Sequence, residues 1–129
     1  MDTVQRRKYK MTFELELIPT LLNNLYIPIV KPNSKPSIVK SKDAKEFIKY
    51  VQMKCLQQKV KPILGDVLFC MDILICKRNN YDIDAVLKLL FDSFNGYAYK
   101  DDKQIVDLRV RKHYKAEKDA LIIKIEEIV

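Results

Sequence analysis

Apolar positions along the chain change their period from segment to segment, and each change marks an element. From Met11 to Ile18 the residues Phe13, Leu15 and Leu17 alternate with Thr12, Glu14 and Glu16. Period two predicts a half-buried strand with the apolar set inward and the two glutamates in water. After Ser41, a suitable N-cap, Ala44, Phe47, Ile48, Val51 and Cys55 recur at helical spacing, which predicts a long helix running to about Gln58. Its other face carries Lys42, Lys45, Lys49 and Lys59. Pro62 and Gly65 interrupt the chain before Asp66 to Cys76, a run apolar on both faces and therefore a central strand. Ile83, Val86, Leu87, Leu90, Phe91 and Phe94 then line one face of a second helix. Gly96 is placed to end that helix and to send the chain back toward the side where it began.

The last third alternates again. Val106, Leu108 and Val110 oppose Asp107, Arg109, Arg111 and His113, and Leu121, Ile123 and Ile125 oppose Ile122, Lys124 and Glu126. With the polar Lys115 to Asp119 between them, the two runs predict a C-terminal β-hairpin. Pro19 to Ser41, with Pro28, Pro32 and Pro36, reads as a long irregular loop. The expected architecture is α+β: a single small domain over residues 1–129, in β-α-β-α-β-β order, with a mixed four-stranded sheet packed with two helices.

Composition narrows the setting. A formal charge of +7 points to a polyanionic partner, although a merely soluble domain has the same signature. Arg6, Arg7, Lys8 and Lys10 make residues 1–10 either a phosphate-touching arm or a solvated tail. Cys55, Cys70 and Cys76 are odd in number and lack a C-x-x-C spacing, so they read as buried thiols of a reducing, cytoplasmic protein and not as a zinc site. No apolar run is long enough to span a bilayer and no signal-peptide pattern opens the chain, so no membrane partner is expected.

Candidate chemistry concentrates around the second helix. Asp82 stands at or just before its first turn, where a carboxylate caps free N–H groups, and Asp84 and Lys88 are one turn apart on its polar face. The bland account is a cap plus an i, i+4 ion pair stabilising by roughly 0.2–0.5 kcal/mol. Asp101-Asp102, after the Gly96 turn, adds two more acids. His113, alone of its kind and outward in a basic strand, reads as a surface or DNA-facing side chain and not a general base. Tyr97 and Tyr99 are either base-stacking groups or plugs over the core.

Asp82-x-Asp84-x-x-x-Lys88 on a helix, followed by Asp101-Asp102-Lys103-Gln104-Ile105-Val106-Asp107 leading into a strand, resembles the RusA family of Holliday junction resolvases. Ile18-Pro19 followed by Asn23-Asn24-Leu25-Tyr26 is similar to the family's Pro…Asn-Asn-x-Tyr segment, so the likeness runs roughly from Phe13 to the C-terminus. Ala85 stands where the family usually has Asn, and the connection to Asp101-Asp102 is about one residue short. The resemblance implies a homodimer that cuts a four-way DNA junction in two strands of like polarity. It implies Asp82, Asp84, Lys88 and Asp102 as catalytic residues, and Lys77, Arg78, Asn23, Asn24, Tyr26, Arg109 and Arg111 as DNA contacts. Clustered carboxylates stay charged only around a cation, and Mg²⁺ favours oxygen ligands, so Asp82, Asp84 and Asp102, with Asp101 assisting, are the expected metal ligands. Two other readings stay open at this level: a non-catalytic basic DNA-binding dimer, and a Mg²⁺-dependent nuclease acting on other branched DNA.

Overall fold

Val67–Ile75 is the strand on which the others are built, and we call it β4 in chain order. The computed structural model describes residues 9–16, 26–29, 32, 37–40, 42–76 and 83–129, with the side chains of 26–29, 37–40 and 85 left aside. Within these, β1 is Lys10–Leu15, β2 Tyr26–Ile29, β3 Ser37–Lys40, α1 Lys42–Gln58, α2 Ile83–Phe94, β5 Ile105–Tyr114 and β6 Ala120–Glu127. The main sheet has four strands in the order β1-β6-β4-β5. β5 lies parallel to β4, whereas β6 is antiparallel to both β4 and β1.

That order overturns the expected C-terminal hairpin. β5 and β6 do not pair with each other; they occupy opposite edges of β4, and residues 115–119 pass over its end. Two hydrogen bonds fasten this passage: Ala116 N–H donates to the Ile75 carbonyl (3.1 Å) and Cys76 N–H donates to Asp119 Oδ1 (2.8 Å). The physical reason is that a central strand has donors and acceptors on both edges to satisfy, and two flanking strands satisfy them. Alternation reports which face a residue takes. It does not report which strand lies alongside.

Burial along β4 alternates strictly. Val67, Phe69, Met71, Ile73 and Ile75 are buried, while Leu68, Cys70, Asp72 and Leu74 are half-buried. The buried set shares one core with Phe13, Leu15, Leu121, Ile123 and Ile125 of the flanking strands, Ala44, Phe47, Val51 and Cys55 of α1, and Val86, Leu89, Leu90 and Phe94 of α2. Both helices therefore cover one face of the sheet, and the central strand is central without being fully buried on both faces. Ion pairs occupy the other face: Lys10–Glu126 at 3.4 Å, Arg109–Asp107 at 3.1 Å, Arg111–Asp72 at 3.8 Å and His113–Asp72 at 2.7 Å. The thiols follow the same division. Cys55 is buried, and burial pushes its pKa up to about 12, but Cys70 is half-buried and Cys76 exposed, so the expectation of buried thiols holds for Cys55 alone.

The stretch expected as an irregular loop contains an antiparallel pair, β2 with β3, in register from Tyr26↔Lys40 to Ile29↔Ser37. Ile27, Ile29, Ile38 and Val39 favour extended backbone, and Pro28 is tolerated because a two-stranded ribbon consists of edges. Of the expected arm at residues 1–10, residues 1–8 lie outside the described residues, as do Leu17 of the first strand and the Ser41 cap, whereas Lys10 belongs to the sheet: it opens β1 and pairs with Glu126. Among the described residues no helix is long and apolar enough to cross a membrane.

Candidate metal and nucleic-acid site

α2 carries Asp84 and Lys88 outward, both exposed, as its periodicity predicts. Asp84 lies in the first turn, where the unsatisfied N–H groups favour a carboxylate. The buried stripe is wider than expected. Leu89 and Ser93 are fully buried beside Val86, Leu90 and Phe94, because α2 contacts α1 as well as the sheet, while Ile83, Leu87 and Phe91 remain half-buried. The buried Ser93 hydroxyl is satisfied by donating to the Leu89 carbonyl at 2.7 Å.

Gly96 ends the helix with φ +83°, a conformation that favours glycine. Tyr97 and Ala98 N–H groups donate back to the Phe94 carbonyl (2.9 and 3.0 Å), and Gly96 N–H donates to the Tyr99 carbonyl (2.7 Å). Tyr99 is fully buried, its hydroxyl donating to the Phe91 carbonyl (3.4 Å), and Tyr97 is half-buried against the core. Of the two readings of these tyrosines, the core plug is the one observed.

Asp101 and Asp102 follow on a tight turn held by one side chain. Gln104 Oε1 accepts from the N–H groups of Lys100 (2.8 Å) and Asp101 (3.0 Å), while its Nε2 donates to the carbonyls of Ile63 (2.7 Å) and Gly65 (2.9 Å). Asp101 Oδ1 in turn accepts from Lys103 N–H (2.9 Å), completing a capping box. Sequence reading passed over Gln104, although Asp-x-x-Gln is the spacing that announces such a box. The two carboxyls are unlike. The Lys103 N–H and then the side-chain hydrogen bond to Asp102 hold Asp101 below the usual range. Burial raises Asp102 first, followed by the bond to Asp101 and the negative charges of Asp101 and Asp92. Asp92, a further acid near this turn, was not singled out by the sequence.

Among the described residues, Asp84 and the Asp101-Asp102 pair stand at opposite ends of α2. Because β5 runs parallel to β4, α2 must cross the full length of the sheet before β5 begins, and the 101–102 turn lies beside the start of both strands, where Val67 pairs with Ile105. Asp84 is at the far end of the helix, roughly 15 Å from Phe94 at 1.5 Å per residue. The expectation that Gly96 returns the chain to its starting side is therefore wrong. Among the described residues no group of three or more His, Cys, Asp or Glu side chains could hold a metal ion. The donor chemistry nonetheless fits a hard cation. Each end offers carboxylate oxygens, and the raised Asp102 sits in a negative field that a cation would relieve.

The remaining candidates are dispersed. Asp82, Lys77, Arg78, Asn23 and Asn24 lie outside the described residues, and Tyr26 opens β2 with its side chain undescribed. Arg109 and Arg111 are exposed on the open face of the sheet, paired with Asp107 and Asp72. His113, exposed and bonded to Asp72, is a surface group as expected. Compared with known proteins, residues 28–126 match a family model described as Endodeoxyribonuclease RusA. No curated protein matches the chain.

Proposed function

The chain belongs to the RusA family, whose members are Holliday junction resolvase endodeoxyribonucleases, and from that premise we propose that it resolves four-way DNA junctions by paired symmetric nicks. Branched DNA is the substrate class of the family, and its nucleases are generally metal-dependent. The observation that carries our reading is the placement of acids at both ends of α2, Asp84 at one and Asp101-Asp102 at the other. Paired cuts call for two sites, and a two-fold dimer supplies both if Asp82 and Asp84 of each chain meet Asp101 and Asp102 of its partner.

Asp82, Asp84 and Asp102, with Asp101, would hold Mg²⁺. When bound, that ion polarises the scissile phosphate and lowers the pKa of the attacking water. Asp101, held ionised by the Lys103 N–H, keeps one carboxylate available at low pH. Lys88, one turn from Asp84, places a positive charge where negative charge builds up on the phosphate. Lys77, Arg78, Asn23, Asn24, Tyr26, Arg109 and Arg111 are the proposed DNA contacts. The formal charge of +7 suits this use.

The test is cleavage of an end-labelled four-way junction with and without Mg²⁺, using Asp84→Asn, Asp102→Asn and a mixture of the two. Wild type should give symmetric, Mg²⁺-dependent nicks and each variant alone none. Mixed chains should nick again, because a heterodimer holds one site with both acids intact. Tight junction binding without cutting by wild type would move the protein to an architectural role. Cutting of linear duplex or flaps in preference to junctions would make it a different nuclease.

A further inference from the structure

One residue of β5 breaks the pattern that the rest of the sheet obeys. Leu108, Val110, Lys112 and Tyr114 are in register with Phe69, Met71, Ile73 and Ile75 of β4, so they share the face that the helices cover. Strand residues alternate sides, and the position beside Ile73 calls for an apolar side chain. Lys112 fills it and is half-buried. On the same face the helix-side residues of β1, β4 and β6 are buried and apolar, with a second charge only at Glu127, the last residue of β6, at the opposite end. A lysine where the local pattern asks for a core residue is the kind of conflict that marks a working site. The position of α2 says which one. The helix joins two parallel strands and so runs back against their direction. Its Phe91 ring meets Phe69 edge-on at 5.2 Å. From that contact, eight residues back along α2 reach Ile83, about 12 Å away, and four residues along β4 reach Ile73, about 13 Å away. Ile83 and Asp84 are therefore level with Ile73 and its partner Lys112. Their side of the helix agrees as well. Val86, Leu89 and Ser93 are fully buried, whereas Ile83, Leu87 and Phe91 are half-buried, so this second flank is the one turned toward the open edge at β5. Asp84 adjoins that flank, since Leu87, Lys88 and Phe91 are three, four and seven positions beyond it. The edge itself admits a ligand: Leu108 is 45% exposed and Tyr114 46%.

We propose that Lys112 binds a DNA phosphate at the Asp84 end of the site, its ammonium approaching from the strand while Lys88 approaches from the helix. The proposal rests on the reading that Asp84 belongs to the cutting site. Lysine suits the position because its four-carbon stem lies on apolar surface while its charge reaches water. A phosphate that meets carboxylates needs cations around it, and two lysines from different elements hold it from two directions. The same residue has a structural explanation, since β5 is an edge strand and an inward-pointing lysine discourages edge-to-edge pairing. That role needs the charge for solubility and has no bearing on DNA.

The experiment is equilibrium binding of a fluorescent four-way junction without Mg²⁺, over a range of salt concentrations, so that affinity is read apart from cutting. Wild type is compared with Lys112→Met, Lys112→Arg and Lys118→Met. Lys118 pairs with Glu14 at 3.4 Å and Glu16 at 3.5 Å and controls for the loss of one positive charge. Lys112→Met should bind about tenfold more weakly and lower the slope of log affinity against log salt by about 0.9, the signature of one phosphate contact. Lys112→Arg should keep the wild-type slope, and Lys118→Met should match wild type. Circular dichroism checks the fold; should Lys112→Met unfold, Lys112→Gln replaces it with the same expected slope. A folded Lys112→Met or Lys112→Gln with the wild-type slope overturns the proposal, and so does one that aggregates while its soluble fraction binds as wild type does. Failure of the underlying reading looks different: Asp84→Asn would still nick junctions in Mg²⁺, whatever the Lys112 variants did to binding.

Discussion

Asp102 shows how a single side chain records what its surroundings lack. Its carboxyl is raised from the ordinary 3.8 by burial first, and then by its bond to Asp101 and the charges of Asp101 and Asp92. The folded chain thus holds the proton more tightly than the unfolded chain does. Its favourable contribution is complete below pH 3.8 and is lost as pH rises through the raised value. Without Mg²⁺, Asp102→Asn should therefore melt at a higher temperature than wild type at pH 7. Thermal denaturation followed across pH should show the two curves converging toward pH 4, and added Mg²⁺ should narrow the gap at pH 7 by stabilising only the wild type. Gln104 works by bonding instead of charge. Its amide joins the acidic turn to residues 63 and 65 through four hydrogen bonds. Gln104→Ala should cost about 2 kcal/mol in urea denaturation, the worth of a few partly exposed bonds, and should raise the Mg²⁺ needed for half-maximal cutting.

α2 is the element on which fold and site both depend. Phe94 is fully buried, with its ring 5.1 Å from Phe13, 6.1 Å from Phe69 and 6.5 Å from Tyr99. Phe94→Ala should cost about 3–5 kcal/mol in chemical denaturation. The existence of α2 and the outward placement of Asp84 and Lys88 were legible from the sequence, because a 3.6-residue period states which side of a helix is dry. Its partners were not. The C-terminal alternation was equally clear for Ile105 to Tyr114 and Ala120 to Glu127, yet a hairpin and two strands divided by β4 have the same pattern. Missing that parallel crossover also misplaced the acids. Asp84 and Asp102 are near in sequence, but a helix spanning the sheet stands rigidly between them. The β2–β3 pair was hidden for another reason, since Pro28, Pro32 and Pro36 announce a loop and break up the short runs that hold Ile27, Ile29, Ile38 and Val39.

At the scale of the whole molecule, one layer of helices on one face leaves the domain with two unlike exteriors. Ion pairs within and between strands dress the uncovered sheet face, and apolar side chains interrupt the helix side along β5 and α2. The family was legible in the sequence, and residues 28–126 match its model. The assembly was not, because nothing in one chain's periodicity states where a second chain attaches.

The parting of Asp84 from Asp101 and Asp102 by the length of α2 bears on how such an enzyme is kept in check. On the proposed reading that every cut draws on two chains, the nuclease is silent when dilute. Below the dissociation constant of the dimer its rate climbs with the square of its concentration, so a modest change in expression acts as a steep control on DNA breakage. On that reading a lone chain that meets a stray stretch of DNA carries only half of each site.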